Sequence, residues 1–277
     1  MAANLNLDLP GMNLLFCTTM LIVNSDEIST GTGFFYEGWS GASTAPLLIT
    51  AKHLVENATS GSAFMVAMED GKPKLGTTVS LDFTNDQWIH HPTADVSVMF
   101  VGRQMQSLLD SGTPPFFRTL GTDIFPSPEE LELLDAVEPV TVVGYPASLI
   151  DGEHGTPLVR RGHTATPIHL AFDGAEEFLV DASATTGSSG SPVIVVHENG
   201  YREVNGYATG RTRVLFVGML TGAITRKVLG TVAAPDGDEL QVFFDEQVNL
   251  GRVSNWRTVD ETVDLAFQSI GVSRPKT

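Results

Sequence analysis

Short apolar or β-branched runs, bounded by Gly, Ser, Asn, Asp or Pro, recur along nearly the whole chain, and they limit the fold more than any other feature. In the first hundred residues such runs cover 14–23, 33–36, 45–50, 63–68, 77–83 and 96–101. A second series covers 140–144, 158–164, 177–180, 192–196, 214–219 and 240–244. Many short strands with frequent turns argue for a sandwich or barrel over a βαβ array. Residues 103–139 break the pattern with Pro114-Pro115, Pro126, Pro128 and an acidic stretch at 129–138. They read as the connection between two halves, with one helical turn near 129–134. Residues 258–270 change character again. They place Val259, Val263, Ala266, Phe267 and Ile270 on one helical face, with Asp260 and Glu261 in the first turn.

Composition narrows the class of function. The chain has 277 residues, 42% of them hydrophobic, which is enough for a real core and rules out disorder. Its 16 Lys+Arg against 33 Asp+Glu give a net charge of −17. A surface so acidic repels phosphate backbones and anionic lipid, so neither nucleic acid nor membrane is an expected partner. Cys17 is the single cysteine, so no internal disulfide forms. The apolar run 13–23 is far short of the ~20 residues of a membrane span and has no basic leader. The expectation is a cytoplasmic protein.

Three segments carry chemistry when read together. In Leu48-Ile49-Thr50-Ala51-Lys52-His53 a histidine follows an apolar strand end. In His91-Pro92-Thr93-Ala94-Asp95-Val96 an aspartate opens an apolar strand. In Gly187-Ser188-Ser189-Gly190-Ser191-Pro192 a serine sits in a Gly/Ser turn before the strand at 193–196. A serine hydroxyl is a weak nucleophile until a neighbouring imidazole takes its proton, and a carboxylate fixes the tautomer of that imidazole. A Gly-rich turn lets two backbone N–H groups converge on an oxyanion.

These segments resemble the His, Asp and Ser motifs of the chymotrypsin-like (trypsin-fold) serine peptidases, in that family's chain order. Asp95 follows His53 by 42 residues and Ser189 follows Asp95 by 94, which suits two barrels sharing one cleft. The resemblance implies His53 as general base, Asp95 as its orienting carboxylate and Ser189 as nucleophile. It implies the N–H groups of Gly187 and Ser189 as the oxyanion hole. It also implies that the Thr221 hydroxyl supports Asp95, and that the strand Thr221-Gly222-Ala223 pairs with the substrate backbone. Asp181-Ala182-Ser183 with Gly187–Gly190 is similar to the Deg-type (high-temperature-requirement) peptidases, and Thr185-Thr186-Gly187 with Ser189–Pro192 to the glutamyl endopeptidases.

Departures from the family pattern refine the expectation. Ser188 stands where zymogen-type members carry an aspartate that pairs with a new N-terminus, so that activation is not expected. Ser183 falls at the floor of the specificity pocket, where trypsin-like members hold Asp, and Leu220 replaces the pocket histidine of glutamyl endopeptidases. The remaining expectation is a small or apolar side chain before the scissile bond. Only a helix and a tail follow the second barrel, too little for the PDZ domain of Deg-type enzymes.

Other features read as ordinary. The α/β-hydrolase elbow lacks its final Gly here, and Gly31-Thr32-Gly33 reads as a hairpin turn. His90-His91 has no metal-ligand spacing, the Asn57-Ala58-Thr59 sequon has no role in the cytoplasm, and Asp236-Gly237-Asp238-Glu239 reads as a solvated loop. The expected architecture is all-β. A six-stranded antiparallel barrel (1–120) carries His53 and Asp95, a second (121–255) carries Ser189, and a helix with a tail (256–277) packs on the second. The expected activity is endopeptidase cleavage of protein or peptide substrates with no metal or cofactor. A regulatory partner, an oligomer or strict substrate choice restrains it. The competing reading is a latent or inactive homologue that only binds proteins.

Overall fold

The computed structural model describes residues 7, 10–40, 43–233 and 239–274. The first half runs α1 (Pro10–Leu14), β1 (Thr18–Asn24), β2 (Ile28–Ser40), β3 (Ser43–Thr50), α2 (Lys52–Val55), β4 (Ser60–Glu69), β5 (Lys72–Thr84), β6 (Trp88–His90) and β7 (Ser97–Phe100). After α3 (Gly102–Asp110) and α4 (Pro128–Leu133) comes the second half. It comprises β8 (Pro139–Gly144), β9 (Leu158–Thr164), β10 (Glu177–Asp181), β11 (Pro192–His197), β12 (Gly200–Glu203), β13 (Gly206–Thr209), β14 (Arg213–Ala233), β15 (Glu239–Asn255) and α5 (Trp256–Ser269). The fold is mostly β, as the strand pattern implies. Residues 236–238 of the expected acidic loop lie outside the described residues.

The second half is a closed six-stranded barrel in the order β10-β15-β14-β11-β8-β9. The first half differs from the six-stranded barrel expected of it. It is a seven-stranded antiparallel sheet in the order β5-β4-β1-β2-β3-β7-β6. Its two edge strands are joined by only Asn85–Gln87, and the rings of Phe83 and Trp88 meet at 5.3 Å, so the sheet rolls until its edges lie side by side. The edges do not ladder together, because the turn meets its own needs. Thr84 N–H donates to Gln87 Oε1 at 2.8 Å instead of to a strand partner.

Two interiors and one seam hold the molecule. Leu21, Phe35, Leu48, Leu81 and Met99 fill the first sheet, and Val142, Phe178, Val193, Val217 and Leu220 fill the barrel. Between the halves, Phe34, Ile49 and Val98 pack with Ile194, Phe216 and Val259. The expected helix at 258–270 is α5, capped by Asn255, but it does not sit on the barrel alone. Its Phe267 meets Phe100 of β7 at 5.3 Å, so it ties both halves together. Arg274 then pins the helix by pairing with Asp260 at 2.7 Å and Asp264 at 2.8 Å.

Other boundaries also moved. The strand expected at 14–23 begins at Thr18, after α1, where Pro10 at the helix start favours a helical turn. The stretch 103–139 holds α3 as well as the expected turn, which is α4 with Ser127 as its N-cap. Among the described residues no helix is long and apolar enough to cross a membrane.

Candidate active site

Local structure delivers each of the three expected side chains to the seam. β3 ends at Thr50, and His53 follows in the single helical turn of α2. Asp95 sits in the loop just before β7, which is β3's neighbour in the sheet. Asp95 Oδ1 accepts the His53 backbone N–H at 2.8 Å, and Oδ2 lies 2.7 Å from His53 Nδ1. With a carboxylate at that distance, Nδ1 carries the proton and Nε2 is left as an acceptor.

Ser189 lies in the loop between β10 and β11. Its Oγ donates to the Thr221 carbonyl at 3.3 Å, and no hydrogen bond joins it to His53 among the described residues. The Thr221 hydroxyl donates to the Arg252 carbonyl at 3.3 Å and not to Asp95. The structure thus brings His53 to Asp95, and Ser189 to Thr221.

The turn before Ser189 has a defined shape. Ser188 N–H donates to Thr185 O at 3.0 Å, and Gly187 at the third position has φ +84°, the features of a type II turn. A Cβ at Gly187 would also lie 2.5 Å from Tyr145 O, so glycine is required there on two counts. Thr186 O accepts from Ala147 N at 2.6 Å, and Ser188 O accepts from Ser191 N at 3.0 Å. A trans peptide points its N–H opposite its C=O. The N–H groups of Gly187 and Ser189 are therefore turned away from those partners, and neither donates a hydrogen bond among the described residues.

The family model of the trypsin-like peptidase domain matches residues 31–200, more than half of the chain and a span that includes His53, Asp95 and Ser189. The chain belongs to the trypsin-like peptidase family. No curated protein matches it. Among solved structures it is similar to the HtrA-type protease AlgW with a tripeptide, at 13% identity and TM-score 0.47, covering 94% of this chain and 62% of that one. It is also similar to the inactive form of a serine-to-alanine mutant of Rv3671c from M. tuberculosis H37Rv, at 16% identity and TM-score 0.46, covering 99% of both chains. A third is HL collagenase, at 13% identity and TM-score 0.49, covering 94% of this chain and 96% of that one. The chain thus spans under two thirds of the AlgW chain's length.

Two further residues hold the site, although no local sequence pattern assigns them a role. Thr32 is one. Gly31-Thr32-Gly33 is not the hairpin turn expected but lies inside β2, where Thr32 is fully buried. Its N–H donates to Ser189 O at 2.9 Å and its Oγ1 to Gly187 O at 2.9 Å. It accepts from Tyr145 N at 3.0 Å through Oγ1, and from Thr50 Oγ1 at 2.7 Å through its carbonyl. One threonine therefore joins both strand ends to the serine turn. Thr32→Val keeps the shape and strands two buried groups, so a loss of about 2–4 kcal/mol is expected by chemical denaturation. Unchanged stability would count against this role.

The other is Arg160 on β9, which donates to Ser183 O and, at 2.8 Å, to Ser188 Oγ. Burial pulls its pKa down from the usual arginine value. Ser183 has φ +23°, outside the ordinary range for a side-chain-bearing residue, and Arg160 holds it there. Arg160 and Ser183 also line an open hollow of about 390 Å³ with Arg161, Asp181, Ala182 and Asn249. Arg160→Leu is expected to lower kcat about 10- to 100-fold with a smaller change in KM, because the turn loses its brace. A change confined to KM would assign Arg160 to substrate contact alone.

Burial pushes the Cys17 thiol up to about 12, so it does not serve as a thiolate nucleophile.

Proposed function

We propose that the chain is a serine endopeptidase. Ser189 attacks the scissile carbonyl, His53 Nε2 takes its proton and returns it to the leaving amine, and Asp95 holds the imidazole. The Gly187 and Ser189 N–H groups receive the oxyanion. The substrate backbone pairs with Thr221-Gly222-Ala223, and Ser183 floors a pocket for a small or apolar side chain. The scheme uses only side chains and backbone amides. The observation that carries it is the double contact of Asp95 with the N–H and Nδ1 of His53, together with the glycine-built turn at Ser189. Control through a partner, an oligomer or strict substrate choice belongs to the same proposal. So does a reducing compartment such as the cytoplasm, since the single cysteine is buried and free.

One observation favours a second reading. The Ser189 hydroxyl donates to the Thr221 carbonyl and not to His53, so that bond must break before His53 can take its proton. A latent homologue that binds proteins would keep it there. A fluorophosphonate probe separates the two. Labelling of wild type that disappears in Ser189→Ala supports the enzyme, and no labelling of pure wild type supports the latent form.

A further inference from the structure

β14 and β15 run well past the barrel. Their ladder continues from the pair Thr225–Gln247 to the pair Ala233–Glu239. The neighbouring strands stop earlier: β11 pairs with β14 only as far as Met219, and β10 with β15 only from Leu250. The outer edge of β14 from Gly222 to Ala233 therefore has no ladder partner among the described residues. Arg226 and Lys227 charge the start of this edge, but residues 228–233 carry no charge, so its outer part lacks the lysine that commonly blocks strand addition.

The two faces of the ribbon differ. The cross-strand pairs Val228–Phe244, Gly230–Val242 and Val232–Leu240 put five apolar side chains in one row. The opposite face mixes Lys227, Thr231, Gln241 and Asp245 with Leu229 and Phe243. Val232 is 51% exposed, Leu240 56% and Phe244 50%. A two-stranded ribbon is marginal in water by itself, and an uncovered apolar row on one marks a contact surface.

Size and position decide what covers it. Nine residues of two strands give a face of about 30 by about 10 Å, near 300 Å². A stable dimer needs roughly 800 Å² per partner, so a second copy is a poor fit and a single added strand a good one. β14 also enters the ribbon directly from Thr221, whose carbonyl holds Ser189 Oγ. Thr225 is at most about 14 Å farther along. A chain laid antiparallel to β14 with its scissile residue at Thr221 meets Thr225 about four residues upstream and Ala233 about twelve upstream.

We propose that the ribbon is a docking arm for the unfolded substrate itself. Residues about four to twelve positions before the scissile bond add a third strand along β14, and their alternate apolar side chains extend the row. This rests on the peptidase reading for the identity of the occupant.

The test uses Ser189→Ala protein, which binds without cutting, and fluorescein-labelled, reduced and carboxymethylated lactalbumin as an unfolded probe followed by anisotropy. Adding Val242→Ser and Phe244→Ser is expected to weaken binding at least about tenfold. Adding Thr231→Asn and Gln241→Ser, on the opposite face, is expected to leave it within about twofold. Equal binding by both variants, or none by the Ser189→Ala parent, overturns the arm. Sedimentation that finds a dimer broken by Val242→Ser and Phe244→Ser assigns the row to a second copy and overturns it as well. Fluorophosphonate labelling of chains that keep Ser189 reports separately. Equal labelling rates with and without the row changes show that the fold is intact. Absence of labelling with binding retained removes the peptidase chemistry and leaves a docking arm for unfolded chains.

Discussion

Ser189→Ala is expected to lower kcat on an unfolded protein such as casein by about 10⁴- to 10⁶-fold, with KM nearly unchanged. In the proposed mechanism alanine removes the atom that forms the acyl-enzyme, while the strand proposed to pair with substrate and the proposed pocket floor are left as they were. His53→Ala should cost about as much, and the double variant no more than either single one, as the proposed joint action of the two requires. Asp95→Asn should cost about 10⁴-fold, since an amide can present its NH₂ to Nδ1 and leave Nε2 protonated, the wrong tautomer for a base. The contact of Asp95 Oδ1 with the His53 backbone N–H adds a structural share to that loss. Residual turnover in Ser189→Ala above about one per cent would mean that another group performs the hydrolysis. Additive losses in the double variant would mean that Ser189 and His53 do not work together.

The site and the fold were legible in the sequence to different depths, for reasons tied to range. His53, Asp95 and Ser189 each sit beside a strand end or in a turn, and such places carry local signals in Gly, Ser and apolar runs. The strand spacing likewise marked both β-rich halves. What stayed hidden depends on contacts between distant residues. Gly31 and Gly33 look like turn residues, yet they lie in β2, where a Cβ would run into the Leu54 and Leu48 side chains. The value of Thr32 between them comes from residues 145, 187 and 189, which no local pattern announces. Arg160 reaches 23 and 28 residues ahead to Ser183 and Ser188, and an arginine on an alternating strand reads as solvent-facing. The long ribbon reads as two short strands in the sequence, because Gly222, Gly230 and Arg226-Lys227 interrupt its apolar pattern. Some signals were there to be used. Met105, Leu108 and Leu109 have helical spacing within α3, and Asn205-Gly206 marks the hairpin of β12 and β13.

Gly190→Ala is expected to destabilise the protein by about 3–5 kcal/mol, lowering the melting temperature by about 10 °C, and to cut kcat at least about 100-fold in the molecules that fold. Two penalties add. Gly190 has φ +88°, which a side chain resists by about 1–2 kcal/mol. The new Cβ would also run into the Thr32 carbonyl oxygen and lie 2.6 Å from Thr50 Oγ1. Neither neighbour can swing aside. One is backbone inside β2, and the two are bonded to each other at 2.7 Å. The loop must therefore retreat, breaking Gly190 N–H to Leu220 O at 2.7 Å and Thr32 N–H to Ser189 O at 2.9 Å. Those two bonds set the depth of Ser189 in the seam, so stability and turnover fall together. Gly112→Ala separates the two penalties, since Gly112 has φ +77° but nothing within 4 Å of a new Cβ. It should cost only about 1 kcal/mol and leave kcat unchanged. If Gly190→Ala behaved like Gly112→Ala in both melting and turnover, the seam would not be what holds the nucleophile in place.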